Sequence, residues 1–171
     1  MTIPNRITLA RIAFTPFFIY FLLSSQSLFS HKLIAAALFL LLALSDTLDG
    51  YLARKMGQSS AFGALMDPLA DKLLVYCAFI VFVETGTLWA IFALLIIARD
   101  FLVMGVRVWA AKSGRIIAAS ELGKWKTASQ MVTIVFMILD LPFWKILFSI
   151  SLLLCLYSGW EYYKQVDTGE I

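Results

Sequence analysis

The chain has 171 residues, of which 61% are hydrophobic, 15% aromatic and only 15% charged. A soluble domain runs nearer half apolar and a quarter charged, so these counts exclude an ordinary water-soluble globule and favour an integral membrane protein. The formal charge of +3 is too small to argue for nucleic acid, and the informative quantity is where the 14 Lys and Arg residues sit.

A helix needs about 20 residues to cross the hydrocarbon core, so six or seven crossings would use nearly the whole chain. Residues 1–171 are therefore read as one all-α membrane domain, with no internal repeat or linker. The charge-free run Ile12 to Ser30 is long enough to span, lacks a small-residue cleavage site and precedes further apolar segments. It predicts a first transmembrane helix and not a removed signal peptide. From Leu33 the uncharged stretch lasts only to Ser45, so the second segment reaches full length by continuing through Asp46 and Asp49 to about Arg54. The third begins near Gly63, takes in Asp67 and Asp71, and runs to Val83, where Glu84, Thr85 and Gly86 break it. The fourth covers about Leu88 to Ala111 with Arg99, Asp100 and Arg107 embedded, the fifth Glu121 to Leu139, and the sixth Phe143 to Tyr162. Cys77 and Cys155 both fall inside apolar runs and read as small buried hydrophobes. His31 reads as a solvated residue of an external turn, and the stretch Phe14, Phe17, Phe18, Tyr20, Phe21 as facing lipid or a neighbouring helix.

Positively charged loops are retained in the cytoplasm. The two ends and the even-numbered turns hold Arg6, Arg11, Arg54, Lys55, Lys112, Arg115, Lys124, Lys126 and Lys164, against only Lys32 and Lys145 in the odd-numbered turns. Six helices with both termini cytoplasmic follow. Trp89, Trp109, Trp144 and Trp160 fall near the expected helix ends, where an amphipathic ring suits the headgroup layer.

Charges inside a bilayer cost several kcal/mol and persist mainly where they face a polar cavity with partners. Four acids at the cytoplasmic ends of two consecutive helices therefore demand an explanation. Asp46, Asp49 and Ala53 are spaced by three and four, and Gly63, Asp67 and Asp71 by four and four, so each set shares a helix face. The connection Lys55 to Phe62 is short enough to make the two helices antiparallel neighbours, which points both acidic faces into one cleft at the cytoplasmic side. Converging carboxylates raise one another's pKa, and divalent cations resolve the conflict. With no Cys or His nearby, all-oxygen ligation suits Mg²⁺ or Mn²⁺ over zinc. Gly50 and Gly63 leave the helix faces bare beside the acids, and Arg54 supplies a planar donor fork for phosphate. Cations, a bare face and an Arg describe a diphosphate site. The alternative, end charges snorkelling toward Lys55 and Lys72, does not require this face-by-face placement.

The pattern Asp46-x-x-Asp49-Gly50-x-x-Ala53-Arg54, eight residues, then Gly63-x-x-x-Asp67-x-x-x-Asp71 resembles, at every fixed position, the signature of the CDP-alcohol phosphotransferases. Members of that family move a phosphate-linked group from a CDP-linked donor to an alcohol, releasing CMP, with divalent metal. The resemblance implies that Asp46, Asp49 and Asp67 hold metal, most simply two ions, that Asp71 ligates metal or acts as base, and that Gly50, Ala53, Arg54 and Gly63 line the nucleotide site. It further implies a homodimer.

The acceptor is a separate question. The start, Pro4-Asn5-x-x-Thr8-x-x-Arg11 with Pro16 behind it, resembles that of the bacterial phosphatidylglycerophosphate synthases, a branch of the family, and so do Arg99-Asp100 and Gly123-Lys124-x-Lys126-Thr127 with Gln130. That resemblance puts Thr8 on the donor side and implies a multi-pass protein of the bacterial cytoplasmic (inner) membrane, working on CDP-diacylglycerol among membrane lipid. Arg99, Arg107, Arg115, Lys124 and Lys126 are more cation than a neutral acceptor needs, and Arg99, Arg107, Lys124 and Lys126 are the candidates for binding the phosphate of glycerol 3-phosphate. Asp100 is expected to neutralise Arg99 or a neighbouring Arg, and Glu121 to sit in the first turn of the fifth helix, where negative charge is favoured. The rival readings are a sister transferase with another acceptor, such as inositol phosphate or a second phospholipid, and a divalent-metal transporter, since intramembrane carboxylates also mark ion pathways.

Overall fold

The computed structural model describes the backbone of residues 3–25, 28–56, 61–112 and 121–167, and the side chains of residues 9–25, 28–45, 72–110 and 122–164. Among the described residues six helices follow one another: α1 (Ile3–Ser24), α2 (Phe29–Met56), α3 (Ala61–Glu84), α4 (Ala90–Lys112), α5 (Glu121–Ile138) and α6 (Trp144–Asp167). No strand occurs among the described residues. Helix number and order agree with the sequence reading, and α5 opens on Glu121 as expected.

The first boundary does not agree. Absence of charge marks where a chain tolerates lipid, whereas a helix needs only its backbone ladder, so α1 begins at Ile3 and includes Arg6 and Arg11. It stops at Ser24 because Ser25 turns back, its N–H and its hydroxyl both donating to the Leu22 carbonyl. Phe29 and Ser30, expected in the first span, open α2. His31 likewise lies in the first turn of α2, where its ring meets Phe21 edge-on at 5.4 Å. The turn from α3 to α4 is closed by Gly86 at φ +72°, with the Leu88 N–H donating to the Phe82 carbonyl at 2.9 Å. An L side chain would be strained at that φ.

α1 packs broadly on α2 and α3, α5 on α6, and α4 on α6 and α3. Side chains fix the relative directions. Arg99 reaches Ser158 and Arg107 reaches Tyr162, so α4 and α6 run in parallel, and short turns set α3 antiparallel to α4 and α5 antiparallel to α6. The C-terminal halves of α4 and α6 and the N-terminal halves of α3 and α5 therefore share one end of the bundle. Phe18, Phe39, Phe79, Ile96 and Ile134, one from each of α1 to α5, are fully buried at the centre. Phe18 and Phe39 lie 5.7 Å apart, and Phe79 meets Phe148 of α6 edge-on at 6.1 Å.

The outside is as apolar as the inside. Leu41, Leu102 and Leu153 are 66%, 72% and 67% exposed, and Phe14, Phe17 and Tyr20 point outward while Phe18 fills the core. A bundle in water rarely leaves such continuous apolar faces uncovered. Among the described residues, Trp144–Lys164 is by length and hydropathy long enough to cross a membrane, and Leu9–Ser24 and Phe29–Ser45 are shorter apolar stretches.

Candidate active site

The signature residues lie on the two helices expected to carry them. Asp46, Asp49, Gly50, Ala53 and Arg54 occupy the last turns of α2, and Gly63, Asp67 and Asp71 the first turns of α3, which packs against α2. Both stretches are helical, as the three- and four-residue spacings require. The side chains of these eight residues, and of Thr8, lie outside the described residues. Among the described side chains no group of three His, Cys, Asp or Glu is arranged to hold a metal.

The described part of the site begins one residue past Asp71, at Lys72. Its Nζ lies 2.9 Å from Oδ2 of Asp100, a carboxylate 3% exposed in the middle of α4. Oδ1 of the same carboxylate takes Lys126 Nζ at 2.7 Å and Arg99 Nη1 at 2.9 Å, and Tyr76 donates its hydroxyl to Oδ2 at 3.3 Å. One acid thus gathers three cations, from α3, α4 and α5. Among the described side chains their sum, three positive charges less one negative, is +2, and Lys126 is only 4% exposed. Charges buried this far from water persist only with partners, and removing one partner of such a group costs about 3–5 kcal/mol.

Arg99 is fixed on its other side by α6. Its Nη2 donates to Ser158, and its guanidinium stands 5.8 Å from the ring centre of Tyr162, one helical turn farther on. Gly159 makes this approach possible: a Cβ there would fall 2.9 Å from Arg99 Cγ. Arg107, two turns beyond Arg99, uses the opposite end of the same tyrosine, donating from Nη2 to its hydroxyl at 2.8 Å with Cζ 5.3 Å from the ring centre. Both guanidiniums retain a buried Nε without a hydrogen-bond partner. Gly159→Val should expel Arg99 from this seat and lower the midpoint of thermal unfolding in detergent by several degrees. An unchanged midpoint would show that Arg99 does not depend on the notch.

Of the four expected acceptor-binding residues, Arg99 and Lys126 meet on Asp100 and Arg107 joins Arg99 through Tyr162, while Lys124 is exposed on α5. Asp100 pairs with Arg99 as expected, and with two lysines besides. Two charges counted as loop signals need correction. Arg11, 2% exposed, is buried within α1, which begins before the charge-free run, and Lys126 is buried within α5, whose expected range from Glu121 already held it. Arg11 is surrounded there by Phe39, Leu42, Ala43, Leu74, Val75 and Met131. Sequence reasoning missed the roles of Lys72, Tyr76, Ser158 and Tyr162. The available signal was a small polar residue, a glycine and a tyrosine at i, i+1 and i+4 in an apolar helix.

The chain matches the family model described as CDP-alcohol phosphatidyltransferase over residues 1–157. It is 36% identical over 181 aligned positions to the CDP-diacylglycerol–glycerol-3-phosphate 3-phosphatidyltransferase of Bacillus subtilis (strain 168), covering 95% of this chain and 94% of that one. Enzymes of the same name from Pseudomonas fluorescens and Escherichia coli (strain K12) are 40% and 35% identical, over 86% and 94% of this chain and 78% and 92% of theirs. The chain belongs to the CDP-alcohol phosphatidyltransferase family, and it is a phosphatidyltransferase.

Proposed function

We propose that this member of the CDP-alcohol phosphatidyltransferase family transfers the phosphatidyl group of CDP-diacylglycerol to sn-glycerol 3-phosphate, giving phosphatidylglycerophosphate and CMP. The observation that carries the acceptor is the group of Lys72, Arg99 and Lys126 around the buried Asp100, a group whose net charge of +2 suits a phosphate dianion and not a neutral alcohol. The names of the relatives support the same pair of substrates. The protein is a multi-pass protein of the bacterial cytoplasmic membrane with both termini cytoplasmic. The apolar exterior and the exposed Trp89, Trp109 and Trp160 near helix ends support this reading. It works as a homodimer.

The donor set on α2 and α3, four carboxylates without His or Cys, fits hard divalent cations. Asp46, Asp49, Asp67 and Asp71 would hold Mg²⁺ or Mn²⁺, most simply two ions, which when bound neutralise the diphosphate and the leaving CMP. Arg54 grips the nucleotide phosphates, with Gly50, Ala53, Gly63 and Thr8 lining the donor side. The cation group holds the acceptor's phosphate. The Asp71 carboxylate takes the proton of the acceptor's hydroxyl as that oxygen bonds to the phosphorus nearer the lipid and the bond to CMP breaks. Acyl chains reach the site sideways from the bilayer, and the water-soluble substrates come from the cytoplasm.

The purified protein, in mixed micelles with CDP-diacylglycerol, should release CMP with glycerol 3-phosphate and not with glycerol, inositol phosphate or phosphatidylglycerol. Preference for another acceptor would assign it to a sister activity. Metal flux into vesicles without CMP release would make it a transporter.

A further inference from the structure

We propose that Asp100 is a positioning residue, which arranges Lys72, Arg99 and Lys126 into a preformed socket for the acceptor's phosphate and ties that socket to the helix bearing Asp71. The inference deepens the reading above and rests on its phosphorylated acceptor. Three cations on three helices repel one another in a medium of low dielectric constant. The two oxygens of Asp100 hold them together within 2.7–2.9 Å contacts, and Ser158 pins Arg99 from a fourth helix. None of the three exhausts its donors on the carboxylate: each ammonium carries three N–H groups, and Arg99 keeps a buried Nε without a partner. A tetrahedral dianion supplies the acceptor oxygens these donors need and brings the net +2 to zero. A neutral alcohol does neither.

Lys72 gives the socket its place in the reaction. It follows Asp71 directly on α3, so one peptide unit links the residue holding the phosphate to the proposed base. In glycerol 3-phosphate the attacking hydroxyl and the phosphate occupy opposite ends of three carbons. Fixing the phosphate against α3 therefore limits where that hydroxyl stands.

Net charge and positioning predict opposite signs for Asp100→Asn. The substitution takes the cluster from +2 to +3, so if charge alone held the phosphate the KM for glycerol 3-phosphate would fall. If Asp100 sets the geometry, that KM should rise about tenfold or more, as loss of well-placed charge-assisted hydrogen bonds implies, while the KM for CDP-diacylglycerol stays within about twofold. The double variant Asp100→Asn/Lys126→Met returns the charge to +2 and relieves the uncompensated lysine. It should recover thermal stability in detergent without recovering the acceptor KM, and Asp100→Glu should recover part of both. Saturation of the wild-type protein by glycerol 3-phosphate, measured first, tests the proposed function on its own. Given that saturation, an acceptor KM that falls or stays put in Asp100→Asn, or is restored in the double variant, overturns the positioning role and leaves the activity standing.

Discussion

Asp46→Asn, Asp49→Asn and Asp67→Asn are each expected nearly to abolish turnover while leaving the protein inserted and monodisperse. The amide keeps the size of the side chain and removes the charge that holds a divalent cation. Packing should not suffer, because the fully buried core sits on other turns, at Phe18, Phe39, Phe79, Ile96 and Ile134. Raising Mg²⁺ should recover part of the rate in a weakened site. Asp71→Asn should differ in kind: a general base acts in the transition state, so the rate constant should drop about 10²–10⁴-fold with donor affinity little changed. Full activity at limiting Mg²⁺ in any two of the first three variants would remove the metal assignment. A normal rate with a raised metal requirement in the fourth would make Asp71 a ligand only.

Arg99→Ala and Arg54→Ala are expected to separate the two substrates. Arg99 donates to Asp100 and Ser158 and stands over Tyr162, on the side of the bundle built by α4, α5 and α6. Its loss should raise the KM for glycerol 3-phosphate about tenfold or more, since a charge-assisted hydrogen bond is worth roughly 1.5–3 kcal/mol. Arg107→Ala should act in the same direction, and Lys124→Ala, on the exposed face of α5, should act less. Arg54 lies on α2 among the signature residues, so its removal should raise the KM for CDP-diacylglycerol and spare the acceptor. Both constants would be measured at fixed lipid fraction in mixed micelles, so that surface dilution does not mimic an affinity change. Loss of donor affinity in Arg99→Ala would sink the division of the site.

The six helices were legible because apolar runs, separated by Gly, Ser and charged residues, leave few alternatives. Their starts were less so: Arg6 and Arg11 look like loop charges by position, but a helix accepts a cation wherever its side chain finds a partner, and Arg11 is buried. The acidic signature could be read from spacing alone, since i, i+3 and i, i+4 relations are properties of a single helix. The meeting of Lys72 and Lys126 on Asp100 could not. Lys72 lies 28 positions from Asp100 and Lys126 lies 26 from it, and no periodicity within one helix reports which neighbour stands across the bundle. Only Arg99-Asp100, adjacent in sequence, announced itself. Gly159 is intelligible only once Arg99 is seen lying where its Cβ would be.

The most direct test of the central claim follows the label of ³²P-glycerol 3-phosphate through one reaction with purified protein, CDP-diacylglycerol and Mg²⁺ in mixed micelles. Phosphatidyl transfer to this acceptor predicts that the label moves into the lipid phase mole for mole with CMP, and that both products vanish when the divalent cation is chelated. CMP released while the label stays in the aqueous phase would contradict it.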